Sequence, residues 1–255
     1  MPYLKSPEKN AGKSAPAIPS PYGLPIIEDC LTCKVREDRV FCNLSPSAIK
    51  FLNEIKSFAV YPKGAVLFVQ GQPPRGVYVL CAGRVKLTVC SQDGRSLITR
   101  ISKPGEVLGL SATLSGKPYY LTAETLIPSE VNFIKCNDFL RFLHEHGDAC
   151  VRVAQQLAHN FQAATEQISL LGLSSSVSER LAKFLLSLEA REGQADGGLR
   201  LKLTYTHEEI GQMIGISRET VTRLLADFKK KQFINLKGST LVISDLPALK
   251  ALAGP

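Results

Sequence analysis

The chain has 255 residues, 44% of them hydrophobic and 21% charged, which allows two domains of ordinary size and describes a globular protein. No stretch approaches the ~18 apolar residues of a membrane-spanning helix, and the lysines of MPYLKSPEKNAGKSAPAIPSPYGLP precede no apolar block of the kind a secretory signal carries. The formal net charge of +8 points towards a polyanionic partner. Half of that charge falls in the window 218–237, where Arg218, Arg223, Lys229, Lys230, Lys231 and Lys237 stand against Glu219 and Asp227.

In chain order, residues 1–27 are rich in Pro, Ser and Lys and predict a disordered tail. Without an export signal, the seven cysteines are expected in a reducing cytoplasm, where metal binding or thiol chemistry is favoured over structural disulfides. Residues 28–136 read as a cysteine segment followed by a small β domain. The segment CLTCKVREDRVFCNLS carries Cys30, Cys33 and Cys42 in a C-x2-C-x8-C pattern. A short helix follows, capped by Ser45, opened by Pro46 and striped by Ile49, Leu52 and Ile55. From about residue 58, short β-branched runs are punctuated by Gly64, Gly71, Gly76, Gly83, Gly94, Gly105 and Gly109, the texture of an antiparallel barrel or jelly roll. Cys81 and Cys90 fall within these strands and read as small core residues.

Residues 137–173 contain no proline and predict one long helix. Cys150, Val153, Leu157, Ala164, Ile168 and Leu171 follow an a/d spacing, so the stripe suits pairing with a second copy; packing on the chain's own barrel is the alternative. SSS at 174–176 marks a hinge, and residues 174–255 form a smaller C-terminal domain.

Within that domain, Thr206 and Glu209 make a capping-box pattern, Gly215 supplies a left-handed turn and Ser217 caps a second helix. Val221, Leu224, Leu225 and Phe228 give that helix a buried stripe, leaving Arg218, Glu219, Thr222 and Arg223 on the opposite side. Arginine can fork onto guanine O6 and N7, and glutamate can accept from cytosine N4, so these four are the candidate base-reading residues. Ser217, Thr206, Lys229, Lys230 and Lys237 are candidates for phosphate contact. The competing interpretation makes Glu219 and Arg223 an ordinary i,i+4 ion pair on a solvated face.

GISRETVTRLLADFKKKQFINLKGSTLVI resembles the winged helix-turn-helix of the cyclic-AMP receptor protein and fumarate–nitrate regulator (Crp/Fnr) family, and the resemblance extends over roughly residues 30–252. It implies an α+β chain: a cyclic-nucleotide-binding-like antiparallel β-barrel, a long dimerisation helix and a C-terminal winged helix-turn-helix. It further implies a homodimeric regulator that binds double-stranded DNA and RNA polymerase. Arg218, Glu219 and Arg223 then match the three base-reading positions of the cyclic-AMP branch, Thr222 a base-contacting serine of the oxygen-sensing branch, and half-sites resembling TGTGA are expected. Lys237 and Gly238 would form the wing tip.

Two features bear on the signal. Family members that bind cyclic nucleotides hold the phosphate with a Gly-Glu pair and a later Arg-Ser or Arg-Thr, whereas here Leu110 stands at the glutamate position and Tyr119-Tyr120 near the arginine, so cyclic AMP is not the expected ligand. The cysteine trio resembles that of the oxygen-sensing branch, which implies a [4Fe–4S] cluster held by Cys30, Cys33 and Cys42. The fourth ligand's position falls near Ser129, and Cys136 is the nearest candidate downstream. A zinc or thiol redox switch, or a relic or packing role, remains open for these cysteines, and a non-cAMP effector remains open as the regulator's signal. A barrel protein whose C-terminal domain docks protein instead of DNA is the rival function. A thiol enzyme is not expected, because His144, His146, His159 and His207 fall in predicted helices with no local cysteine partner.

Overall fold

The structure, a computed structural model, describes residues 22–24, 29–192, 199–238 and 240–254; the tail expected over 1–27 lies outside these residues except at 22–24. The cysteine segment runs from residue 29 to 44 as a chain of turns. It leads into α1 (Pro46–Ile55), whose cap forms as expected, Ser45 Oγ accepting from the Ala48 N–H at 3.4 Å. Phe41 and Leu44 anchor the segment in the core, Phe41 fully buried against Phe139 and Phe142.

The glycine-punctuated runs form β1 (Ser57–Tyr61), β2 (Val66–Phe68), β3 (Gly76–Ala82), β4 (Val85–Cys90), β5 (Ser96–Ser102), β6 (Val107–Leu108), β7 (Thr122–Thr125) and β8 (Ser129–Lys135), with α2 (Leu110–Ser115) after β6. They build two four-stranded antiparallel sheets, β1-β8-β3-β6 and β2-β7-β4-β5. Alternation sends Tyr78 and Leu80 of β3 into the core between the sheets. Val77 and Val79 face the other way, against α1 and the next helix.

The expected single helix over 137–173 is two. α3 (Cys136–Glu145) ends at His146, whose extended backbone (φ −128°, ψ 93°) separates it from α4 (Gly147–Leu173). The break lets α3 bury Phe139 and Phe142 while α4 departs along the barrel. Two anchors fix the start of α4: Asp148 accepts from the Ser45 N–H at 2.7 Å, and Arg152 Nε donates to the Asn43 carbonyl at 3.0 Å. Further along, buried Gln156 accepts from the Val107 N–H and donates to the Val107 carbonyl, at 2.9 and 2.8 Å. The seam expected on this helix is therefore divided. Val153, 4% exposed, belongs to the chain's own core, and Leu157 packs partly against it. Ala164 and Ile168 are exposed, Leu171 is half-buried, and Phe161, 74% exposed, stands in line with them.

At the hinge, Ser176 Oγ accepts from the Glu179 N–H, and Glu179 reaches back to the Ser175 N–H at 2.7 Å, which caps α5 (Val177–Glu192). The C-terminal domain continues through β9 (Leu199–Lys202), α6 (His207–Ile214), α7 (Arg218–Lys230), β10 (Ile234–Lys237), β11 (Thr240–Ile243) and α8 (Leu246–Ala253), its strands ordered β10-β11-β9. Its apolar core gathers Leu181, Leu185, Ile210, Ile214, Val221 and Phe228, and Ile98 of β5 joins it from the barrel.

Candidate nucleic-acid interface and thiol site

The helix pair α6–α7 is set by local chemistry. Thr206 Oγ1 accepts from the Glu209 N–H at 3.1 Å and Glu209 accepts from the Thr206 N–H at 2.7 Å, satisfying two orphan donors reciprocally. Gly215 ends α6 at φ +68°, a conformation that costs glycine nothing. Gly211 must also be glycine, because a Cβ there would lie 2.6 Å from the Ile216 carbonyl oxygen. Ser217 Oγ then accepts from the Thr220 N–H at 3.3 Å to start α7.

Val221, Leu224, Leu225 and Phe228 are buried, and Arg218, Glu219, Thr222 and Arg223 are exposed together along the other face. Glu219 and Arg223 do not form the alternative i,i+4 ion pair; among the described residues the ion pair on this helix is Lys231–Asp227, at 2.8 Å. Its own backbone N–H, then the Ser217 hydroxyl, hold the Glu219 carboxyl below its usual value, so it is an ionised acceptor at neutral pH. Lys229 and Lys230 are exposed at the far end of α7. Lys237 ends β10, and its side chain lies outside what the structure describes. Ser217 and Thr206 are exposed, but their hydroxyls are engaged as caps.

The second site is a narrow cavity of about 20 Å³ between the cysteine segment, α1 and the outer face of β3 and β8, lined by Cys30, Cys33, Cys42 and Cys81 together with Asn132. Cys136 is not there: its thiol lies 3.4 Å from the Pro74 carbonyl, so it is not brought to the trio. Cys81, expected to be a small core residue, takes the place beside them. Sequence reading missed it because β3 adjacency is a long-range feature. The one local signal was the period of two, Val77-Val79-Cys81 continuing a single strand face.

Burial raises the thiol pKa values throughout this cavity. It pushes Cys42 up to about 12, with Cys30 and Cys33 adding to the rise and Arg39 opposing it. Cys30 and Cys81 are raised for the same first reason. Arg36 and Arg39 line the cavity too, the cations available to offset the charge of thiolates. Among the described residues no three ligating groups stand close enough to hold a single metal ion. Zinc would need its thiolates converged at roughly 2.3 Å on one centre. A polynuclear iron–sulfur group spreads its four thiolates over separate irons, and suits this donor set better.

A second cavity, of about 310 Å³, lies between the barrel and α4, with Phe68, Leu110 and Tyr119 in its wall. Leu110 offers no carboxylate, and the Tyr119 hydroxyl is committed to the Gly76 carbonyl at 2.8 Å. Arg100 also lines the cavity, but its guanidinium is paired with Glu106.

Comparison with known proteins finds two family matches along the chain. A cyclic nucleotide-binding domain matches residues 58–146, and a Crp-like helix-turn-helix domain matches residues 179–252. The chain is 32% identical over 209 residues to the CRP-like cAMP-activated global transcriptional regulator of Mycobacterium tuberculosis, covering 81% of this chain and 92% of that protein. It is 28% identical to the fumarate and nitrate reduction regulatory protein of Vibrio cholerae, over 88% of this chain and 90% of that one. The solved structure of FixK2 from Bradyrhizobium japonicum superposes with a TM-score of 0.67 at 25% identity, covering 79% of this chain and 98% of that chain. With the barrel, the long helix and the helix-turn-helix in the same order, the chain belongs to the Crp/Fnr family: it is a transcription regulator with a Crp-like DNA-binding domain, and not an enzyme.

Proposed function

We propose that this regulator is a homodimer that reads a palindromic, TGTGA-like site through Arg218, Glu219, Thr222 and Arg223, acts with RNA polymerase at promoters, and answers a redox or oxygen signal received at its thiols. The observation that carries DNA reading is the sorting of α7. Its apolar stripe is fully used by the domain core, while two guanidiniums, a carboxylate and a threonine remain exposed on one face with no ion pair between Glu219 and Arg223. Such a face suits the major groove, and two copies about 34–36 Å apart would meet successive half-sites. The exposed line of Phe161, Ala164 and Ile168 on α4 supports the dimer, because apolar side chains this open to water gain most from a second copy.

The thiol reading rests on the shared cavity of Cys30, Cys33, Cys42 and Cys81 and on its chemistry, which fits a [4Fe–4S] cluster better than a single ion. When bound, the cluster would supply sensitivity to oxidants. Loading it requires the protein to give up the protons its buried thiols hold. Asn43 and Ser45, just after Cys42, are bonded to Arg152 and Asp148 of α4, so a change at the thiols has a short path to the helix proposed to dimerise. Cyclic AMP is a poor fit for the barrel cavity, where Leu110 replaces a carboxylate and Arg100 is already paired.

A gel shift at fixed salt, comparing TGTGA-N6-TCACA with a scrambled duplex, tests sequence reading; at least tenfold preference for the palindrome is expected. Equal affinity for both would remove this function. Anaerobic purification with iron and sulfide assays tests the signal, and an iron-free protein from iron-replete anaerobic cells would remove the cluster.

A further inference from the structure

Of the residues that line the thiol cavity, two are unexplained by the trio in the cysteine segment. The first is Cys81. The β3–β8 ladder pairs Leu80 with Val131 and Ala82 with Glu130, and the register shift between them leaves Cys81 as the extra residue. An extra residue of this kind bends the strand locally, and such irregularities gather beside functional sites. Alternation from Val77 and Val79 puts the Cys81 thiol on the face towards the cysteine segment, and the bulge leaves it there without a paired residue on β8. The second is Asn132, 3% exposed, which stands beside Val77, Val79 and Ile134 on the sheet face that also carries Glu130. Its amide Nδ2 lies 3.1 Å from Cys81 Sγ and 3.9 Å from Cys30 Sγ, and its Oδ1 finds no hydrogen-bond partner among the described residues. Burying a carboxamide with half its hydrogen bonds unmade costs free energy that an apolar side chain would spare. A built polar group aimed at two sulfurs marks a ligand site.

We propose that Cys81 is the fourth thiolate of the Cys30–Cys33–Cys42 site, and that Asn132 is a positioning residue donating to the sulfurs of Cys81 and Cys30 when an iron–sulfur group is held there. The inference rests on the cluster reading above and adds to it the identity of the fourth ligand and of the group that tunes it. Three ligands then come from a segment made of turns, which can adjust to the size of the group, and one from a sheet that cannot. Hydrogen bonds to cluster sulfurs stabilise the more reduced, more negative state and raise the reduction potential.

The test uses the full chain loaded anaerobically with ferrous iron and sulfide. Differential alkylation followed by peptide mapping is expected to show Cys30, Cys33, Cys42 and Cys81 protected together, and Cys90, Cys136 and Cys150 labelled as in the unloaded chain. Cys81→Ser is expected to lose at least three-quarters of the iron, and Cys136→Ser to load like wild type. Asn132→Leu is expected to load but with a lower reduction potential and at least threefold faster iron loss in air. Wild-type protein that takes up no iron overturns the cluster reading and this assignment with it. Loaded wild type with Cys81 freely alkylated overturns the fourth ligand alone, a result that does not depend on any variant folding. An unchanged potential in loaded Asn132→Leu overturns the positioning role.

Discussion

His207 Nδ1 lies 2.8 Å from Thr222 Oγ1, joining the first turn of α6 to the exposed face of α7. The same hydroxyl is within 3.0 Å of the Arg218 carbonyl, to which it donates. A hydroxyl has one proton, so with that proton given to the Arg218 carbonyl, Thr222 bonds His207 by accepting from the tautomer that carries its ring hydrogen on Nδ1. Its capacity to read a base edge through the hydroxyl is largely spent, whereas its methyl group is open to the thymine methyl. Thr222→Val, which keeps the methyl and removes the hydroxyl, is expected to lose less than about tenfold, ~1.4 kcal/mol, in affinity for the palindrome. Thr222→Ser is expected to lose discrimination at a T·A pair. Anisotropy titrations against single-base variants of the site measure both, and a larger loss for valine than for serine would return base reading to the hydroxyl.

Arg223 and the lysines at the end of α7 should separate cleanly. An arginine forked onto a guanine contributes to one sequence, so Arg223→Ala should cost ~1–3 kcal/mol on the palindrome and far less on random DNA. Lys229→Ala or Lys230→Ala should weaken both duplexes alike and lower the salt dependence by about one phosphate contact. Titrations at three salt concentrations make the comparison. A uniform loss for Arg223→Ala would reassign that residue to the backbone.

On α4 the two faces predict opposite phenotypes. Val153 is 4% exposed within the barrel core, so Val153→Ala should cost about 1–3 kcal/mol of folding stability without altering assembly. Phe161 and Ile168 are 74% and 71% exposed, so Phe161→Glu or Ile168→Glu should leave the melting temperature of the protomer nearly unchanged and yield monomers. Sedimentation velocity and thermal melts, run on the same samples, decide it. A dimer that survives Ile168→Glu would move the interface off this helix.

What the sequence made legible was mostly local. Caps at Ser45, Thr206 and Ser217, the turn at Gly215 and the stripe of α7 all depend on neighbours within a few residues, and each forms as the spacing implies. The break at His146 was hidden because nothing there forbids a helix: the chain bends so that Phe139 and Phe142 reach one core while Asp148 and Arg152 hold another segment. Val153 was assigned outward because an a/d pattern fits burial against a barrel as well as against a second helix. Cys81 was passed over because its neighbours in space, Cys30 and Asn132, lie 51 residues away in each direction, and only strand pairing brings them together.

Buried thiols tie the stability of the metal-free chain to alkaline pH. Burial raises Cys42 to about 12 from an ordinary 9.0, with Cys30 and Cys81 moved in the same direction. Below the unfolded thiol's pKa both states hold the proton and the stabilisation is complete. Above it the unfolded chain ionises first, binds fewer protons than the folded one, and stability falls as pH climbs towards 12. Urea melts of the reduced, metal-free protein should therefore show midpoints that decline above about pH 9, and Cys42→Ala should decline less steeply because it has no proton to lose. Iron uptake should run the opposite way, improving as pH rises through neutrality, since every ligand must shed its proton to bind. Identical slopes for wild type and Cys42→Ala would mean that the thiol ionises as easily folded as unfolded, and that the cavity does not hold it protonated.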